Sequence, residues 1–218
     1  MSIQLVSVNI GEVSTLVTVN RVEQTGIYKH SVHGPVRVTA LGLEGDFVAD
    51  TKHHGGPDQA VYIYGAADYA WWERELGRKL APGTFGENLT VSELESACFS
   101  IGDRLTVGEV ILEVTAPRIP CGTFARRMGD PQFVKRFRDA ERPGLYCRVL
   151  REGVAQAGDE VTVEPYPGEK VSLLEIFRDH YVQDADESTL RRFLRAPIAI
   201  RARKNLEERL EMLFARGK

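Results

Sequence analysis

Residues 104–122, Arg104-Leu105-Thr106-Val107-Gly108-Glu109-Val110-Ile111-Leu112-Glu113-Val114-Thr115-Ala116-Pro117-Arg118-Ile119-Pro120-Cys121-Gly122, give the chain its character. Arg104–Val107 and Val110–Thr115 are β-branched, apolar-rich runs parted at Gly108, so each reads as a short strand. The remainder is irregular, with a cysteine held between Pro120 and Gly122. Outward from this stretch the same grammar repeats. Ile3–Val8, Val36–Leu41, Ala60–Tyr64, Leu145–Leu150 and Glu160–Glu164 are rich in β-branched or aromatic residues, and Gly, Pro, Asp or Asn usually separates them. Many short strands at irregular spacing predict a barrel or a sandwich.

Two helical insertions interrupt the strands. Asp68–Leu76 stops at Gly77, a C-terminal stop signal. The other has Asp130 as cap, Pro131 in the first position, and Phe133, Val134 and Phe137 on one face. At Pro165-Tyr166-Pro167-Gly168 the composition shifts, which predicts a linker. Beyond it the pattern is helical. Ser172-Leu173-Leu174-Glu175 fits a capping box, with Leu173, Leu174, Phe177 and Tyr181 on one stripe. A second helix holds Leu190, Phe193 and Leu194 and ends before Pro197. A third holds Leu206, Leu210, Leu213 and Phe214. The expected division is a β domain over 1–166 and a three-helix domain over 170–218. So short a tail must lean on the β domain or on a second subunit.

Composition narrows the function classes. The hydrophobic and charged fractions, 43% and 27%, suit a globular protein with a true core, and the net charge of −3 argues against a nucleic-acid polymer as partner. No apolar run reaches the length of a membrane span, so no membrane role is expected. Three cysteines, Cys98, Cys121 and Cys147, are odd in number and widely spaced. A disulfide framework is therefore not expected; a reducing, cytoplasmic setting is.

Three loop clusters could carry chemistry. The first runs from Gly42-Leu43-Glu44-Gly45-Asp46 through Asp50 to Lys52-His53-His54-Gly55-Gly56-Pro57-Asp58. It reads either as a tight turn with satisfied polar groups or as a proton donor beside backbone amides. A zinc site built on Asp50, His53, His54 and Asp58 is the weaker alternative, because no spaced ligand motif completes it. The second is Gly83-Thr84-Phe85-Gly86-Glu87-Asn88-Leu89, whose glycines admit a ligand to the backbone and whose Glu87 and Asn88 suit a heterocycle edge. Taken alone it is as well explained by loop chemistry. In the third, Arg118, Arg126 and Arg127 would favour the thiolate of Cys121, the form that attacks or ligates a soft metal. Cys98 and Cys147 sit among apolar neighbours and are expected in the core.

Taken together these clusters resemble the MOSC family, named for the C-terminal domain of molybdenum-cofactor sulfurase. They are most similar to its stand-alone bacterial hydroxylaminopurine-resistance subfamily, the YiiM type. The residues that carry the likeness are Lys29, Gly45-Asp46, Asp50, His54-Gly55-Gly56, Asp58, Ala60-Val61, Tyr64, Gly86-Glu87-Asn88-Leu89, Gly102-Asp103, Pro117-Arg118, Pro120-Cys121 and Gly144-Leu145-Tyr146. The resemblance implies a MOSC-type β-barrel followed by a three-helix domain, with the molybdenum cofactor (molybdopterin) bound and Cys121 as the molybdenum ligand. Arg118, Gly55, Gly56, Glu87, Asn88, Asp46 and Asp58 would help to hold the cofactor, with basic side chains pairing its phosphate. It also implies reduction of N-hydroxylated compounds such as hydroxylaminopurine to amines, with His54 as the acid and Lys29 holding the substrate oxygen or tuning His54. The chain has no iron–sulfur cysteine cluster and no flavin or nicotinamide motif, so a separate reductase would supply electrons. A homodimer is expected. A non-catalytic carrier or sensor of the cofactor, or a Cys121/His54 hydrolase, stays open as an alternative.

Overall fold

The structure, a computed structural model, describes residues 2–17, 22–49 and 55–216. Among the described residues thirteen strands and six helices follow one another. They are β1 Leu5–Gly11, β2 Ser14–Val17, β3 Val22–Thr25, β4 Lys29–Val32, β5 Val36–Thr39, β6 Gly42–Leu43, β7 Val61–Gly65, α1 Ala66–Leu76, β8 Leu89–Val91, β9 Arg104–Val107 and β10 Val110–Pro117. Then come α2 Gly122–Met128, α3 Phe133–Ala140, β11 Leu145–Arg151, β12 Gly153–Ala155, β13 Val161–Glu164, α4 Leu173–Val182, α5 Glu187–Arg195 and α6 Ile200–Arg216.

Eight strands form one sheet in the order β13-β9-β10-β11-β7-β8-β1-β4; β12-β5-β6 and β2-β3 are smaller sheets. All the main pairings are antiparallel except β7 with β8, which α1 joins as a crossover. A closed barrel was expected, but among the described residues the ladder does not close continuously. The reason lies in β1. Val8–Gly11 pair with β4, which leaves only Ile3–Leu5 to meet the start of β13. There Leu5 N donates to Asp159 O at 2.9 Å, Val161 N donates to Ile3 O at 2.9 Å, and Gln4 bridges Glu160. The sheet thus curls on itself and is stitched at one point.

Alternation along the strands sorts side chains onto two faces. In β7, Val61 and Ile63 enter an aliphatic core with Leu105, Leu112 and Leu145, while Tyr62 and Tyr64 enter an aromatic one with Trp72, Phe85, Phe124 and Phe137. With both faces covered, all of β7 is buried. Two expected helix boundaries hold: Gly77 ends α1 in the left-handed conformation at φ 63°, and Ser172 and Glu175 form the reciprocal capping box that starts α4. The expected start of α3 shifts: the helix begins at Phe133 with Gln132 at the cap, and Asp130 accepts from Gln132 N at 2.8 Å in the turn before it.

The three C-terminal helices are present, and they share the core of the sheet. Val171, Leu173, Leu190, Phe193 and Leu206 belong to the same apolar cluster as the strands. Of the predicted stripe on α6, Leu206 is buried and Leu210 is partly covered within this chain, whereas Leu213 and Phe214 are exposed. One cysteine expectation needs correction: Cys147 is buried on β11, but Cys98 is exposed in a short 3-10 turn, where the chain turns outward before Phe99.

Candidate functional site

A cavity of about 540 Å³, a size suited to a small ligand, opens where loops leave β3, β6 and β10 and where the segments before β7 and β8 pass. Lys29, Asp46, Gly55, Asn88, Arg118 and Cys121 all line it. Six residues nominated from separate stretches of sequence therefore converge. Close backbone approach makes the wall possible: a Cβ on Gly26 would lie 1.8 Å from Phe47 O, so only glycine lets these two lining segments touch.

The first element of the wall is an ionic knot. Lys29 Nζ donates to Asp46 Oδ1 in a buried ion pair. Asp46 also accepts from Gly11 N at 2.8 Å and from Asn88 Nδ2 at 2.8 Å. Asn88 Oδ1 in turn accepts from Tyr62 N at 3.1 Å, so both ends of this amide are engaged. Burial lowers the Lys29 pKa, and the Asp46 carboxylate only partly offsets this.

The second element is Arg118, at the end of β10. Its guanidinium donates to Phe85 O at 2.7 Å and lies between two rings, 5.0 Å from the Tyr62 centroid and 4.5 Å from that of Phe124. Burial alone would lower its pKa, but Tyr146, Tyr62, Cys121 and Glu87 around it outweigh burial and hold the value above normal. Gly86 leaves it space: at φ 74°, a Cβ there would approach Arg118 Nη1 to 3.2 Å. Cys121, half-buried, caps α2, with its carbonyl accepting from Phe124 N at 3.0 Å and Ala125 N at 3.1 Å.

Several expectations change. Glu87 is fully buried and faces away from the cavity. Its Oε1 accepts from Tyr69 Oη at 2.6 Å, Gly83 N at 2.6 Å and Thr90 Oγ1 at 2.8 Å, so it braces the Gly83–Asn88 loop from inside. Burial raises its pKa. Asp58 is likewise committed, accepting from Ile200 N at 2.7 Å and pairing with Arg148 at 3.0 Å; it anchors α6. Gly56 lines a neighbouring recess. Arg126 pairs with Glu23 at 3.3 Å and Arg127 lies over Tyr28, while the charges of Arg118 and Cys121 interact. Asp50, Lys52, His53 and His54 lie outside the described residues. Sequence reasoning missed the aromatic floor of Tyr62 and Tyr146, ring centroids 4.9 Å apart, and the Glu23–Thr25 wall. Strict alternation in β7 and β11 was the available signal for the tyrosines.

The donor set discriminates between kinds of metal group. Among the described residues no three His, Cys, Asp or Glu side chains are grouped to hold an ion. A metal needing a full set of protein ligands finds none there. A metal arriving within an organic ligand needs one soft protein donor, and Cys121 at the wall is such a donor. The Nε of Arg118 is buried without a hydrogen-bond partner, and Arg118 and Lys29 bring cationic groups to an anionic ligand. These residues fit the molybdenum cofactor.

Comparison with known proteins agrees with this geometry. The family model for the MOSC domain matches residues 50–162, and MOSC domains are associated with molybdenum-cofactor binding. The uncharacterized protein YflK of Bacillus subtilis is 38% identical over 154 residues, covering 71% of this chain and 70% of that protein. Protein YiiM of Escherichia coli is 41% identical over 101 residues, 44% of this chain and 45% of its own length. A protein named reductase from Gibberella moniliformis is 34% identical over 158 residues, or 71% of this chain, but the match spans only 28% of that longer protein. The crystal structure of YiiM from Geobacillus stearothermophilus superposes with a TM-score of 0.77 at 26% identity, over 95% of this chain and 99% of that one. That of YiiM from Escherichia coli gives 0.73 at 23% identity over 97% and 92%, a likeness of fold. On this evidence the chain belongs to the MOSC domain family.

Proposed function

We propose that this protein binds the molybdenum cofactor through Cys121 and reduces N-hydroxylated compounds to amines. The observation that carries the reading is the convergence of Cys121, Arg118 and Lys29 on one cavity. When bound, the cofactor supplies the two-electron reduction of an N–O bond. The overall change is R–NHOH plus two electrons and two protons to R–NH₂ and water, with a separate reductase as the electron source.

The chain's own residues bind, orient and manage protons. The Cys121 sulfur is the soft ligand, and the Arg118 guanidinium stabilises it as thiolate. Tyr62 and Tyr146 line the cavity with aromatic surface suited to a heteroaromatic ring. Lys29, at the wall beside Asp46, presents its ammonium to a substrate oxygen. His54 is the proposed acid that protonates the departing oxygen. Its neighbour in sequence, Gly55, lines the cavity, which supports this role. We place the protein in the cytoplasm as a homodimer, with the exposed Leu213 and Phe214 of α6 as the apolar surface for a second copy.

The test uses full-length protein from a cofactor-producing host. Molybdenum and pterin per chain are measured, with turnover of a hydroxylamine using reduced methyl viologen as artificial donor. Bound pterin with turnover is expected, and Cys121→Ser should abolish turnover while the protein stays folded. Full activity in Cys121→Ser would overturn the ligand assignment. Pterin without turnover would make the protein a carrier.

A further inference from the structure

The wall of the cavity is chemically divided. Its charged side chains meet opposite charges from within the protein: Lys29 pairs with Asp46, and Glu23 pairs with Arg126 at 3.3 Å. Asn88 has both ends of its amide engaged. Arg118 and Cys121 serve the cofactor in the function proposed above. A charge carried by a substrate would give up its hydration on entry and meet ion pairs that are already neutral.

A second set of lining side chains is apolar. Ile27, Phe47, Val48 and Ala49 come from the loops that follow β3 and β6. Backbone bonds fix these loops: Phe47 N donates to Gly11 O at 2.9 Å, and Ile27 N donates to Thr25 Oγ1 at 3.2 Å. Neighbouring glycines show where the side chains stand. A Cβ on Gly86 would lie 3.2 Å from both Ile27 Cγ1 and Arg118 Nη1, so Ile27 stands close to the guanidinium. A Cβ on Gly55 would lie 3.1 Å from Val48 Cγ1, so Val48 borders that turn. Val48 nevertheless keeps 36% of its surface exposed. An uncovered valine on a cavity wall is apolar surface that an occupying ligand takes out of water.

We infer that Val48 and Ile27 are specificity-determining residues, and that they hold the apolar substituent of an uncharged N-hydroxylated substrate. Contact with an apolar group supplies the preference, and the neutral ion pairs around it leave an ionised group without compensation. The inference rests on the cavity being the substrate site proposed above, and it narrows the substrate class of that site.

Two arylamines of similar size, 4-ethylaniline and 4-aminobenzoate, are probes that need no turnover. Both are products the proposed reaction would release from the matching arylhydroxylamines, and they differ in having an apolar or an ionised end. Their binding is followed by ligand-observed NMR on full-length protein from a cofactor-producing host, and kcat/KM is measured for the two arylhydroxylamines. In both measurements the ethyl compound should be favoured by about tenfold or more. Val48→Thr exchanges one methyl for a hydroxyl and should cut that preference by about fourfold, the worth of one methyl contact. Ile27→Thr should cut it as well. Val154→Thr makes the same exchange at a comparably exposed valine of β12, outside the cavity lining, and should keep the wild-type preference. The inference is overturned if the wild type binds the two amines equally, or if Val48→Thr and Ile27→Thr are as selective as Val154→Thr. Selective amine binding that weakens in Val48→Thr, with neither hydroxylamine turned over, would leave the apolar subsite standing while the reductase reading fails.

Discussion

The Lys29 ammonium and the Asp46 carboxylate, seventeen positions apart, meet as a buried ion pair in the cavity wall. The two partners are unequally supported. Asp46 keeps bonds from Gly11 N and Asn88 if Lys29 is removed, whereas Lys29 has no other acceptor among the described residues and would face burial uncompensated. Asp46→Ala should therefore cost roughly 3–5 kcal/mol and Lys29→Met clearly less. Urea unfolding measures both, and equal losses would refute the asymmetry.

Glu87 ties stability to pH. Its folded pKa is raised by burial, so between about 4.5 and that folded value the native state holds more protons than the unfolded chain. Stability then falls as pH rises through this window, the reverse of a salt-bridged carboxylate. Glu87→Gln removes the titration, and its unfolding free energy should fall less steeply between pH 5 and 8 than that of the wild type. Parallel slopes for the two proteins would show that Glu87 does not titrate there.

Much of the fold was legible because its signals are local. The β9 and β10 runs, the stop at Gly77 and the Ser172–Glu175 box each depend on neighbours within a few residues. β8, with three residues, and the β2–β3 hairpin were not, since short polar segments become strands only when another strand bonds to them. The site divides in the same way. Residue types singled out Cys121, Arg118, Lys29, Asp46 and Asn88, and all five line the cavity. Glu87 and Asp58 point elsewhere because their partners, Tyr69 and Ile200, come from distant parts of the chain, and the direction of a side chain follows its partner.

The cysteines should separate by environment. Cys147 is fully buried among apolar side chains, so Cys147→Ser places a hydroxyl there and should cost about 1–3 kcal/mol. Cys98 is exposed, and Cys98→Ser should stay within about 0.5 kcal/mol of wild type. Thermal unfolding of the two variants side by side checks this, and an equal loss would contradict the assignment.

Arg118→Lys keeps the charge but loses the planar group that lies between Tyr62 and Phe124 while bonding Phe85 O. Stability should drop by roughly 1.5–3 kcal/mol, the range for a bond to a charged group. Pterin retention should fall with it. A variant as stable as wild type would show that the geometry of this arginine is dispensable.

Truncation after Gly168 should abolish cooperative folding, because Val171, Leu173, Leu190 and Phe193 complete the core around Leu105 and Leu112. A soluble fragment with a single sharp unfolding transition would show instead that the sheet stands alone.

The stitch between Ile3–Leu5 and Asp159–Val161 also sets a timetable for synthesis. The first strand emerges from the ribosome with half of one edge waiting for a partner that is more than 150 residues away. At typical elongation rates that interval is on the order of ten to thirty seconds. Through it the apolar side chains of Leu5 and Val8 stay short of their final cover. The nascent chain thus carries uncovered apolar surface through that interval, and refolding from denaturant should be slow for a protein of this size, as expected of non-local strand pairing.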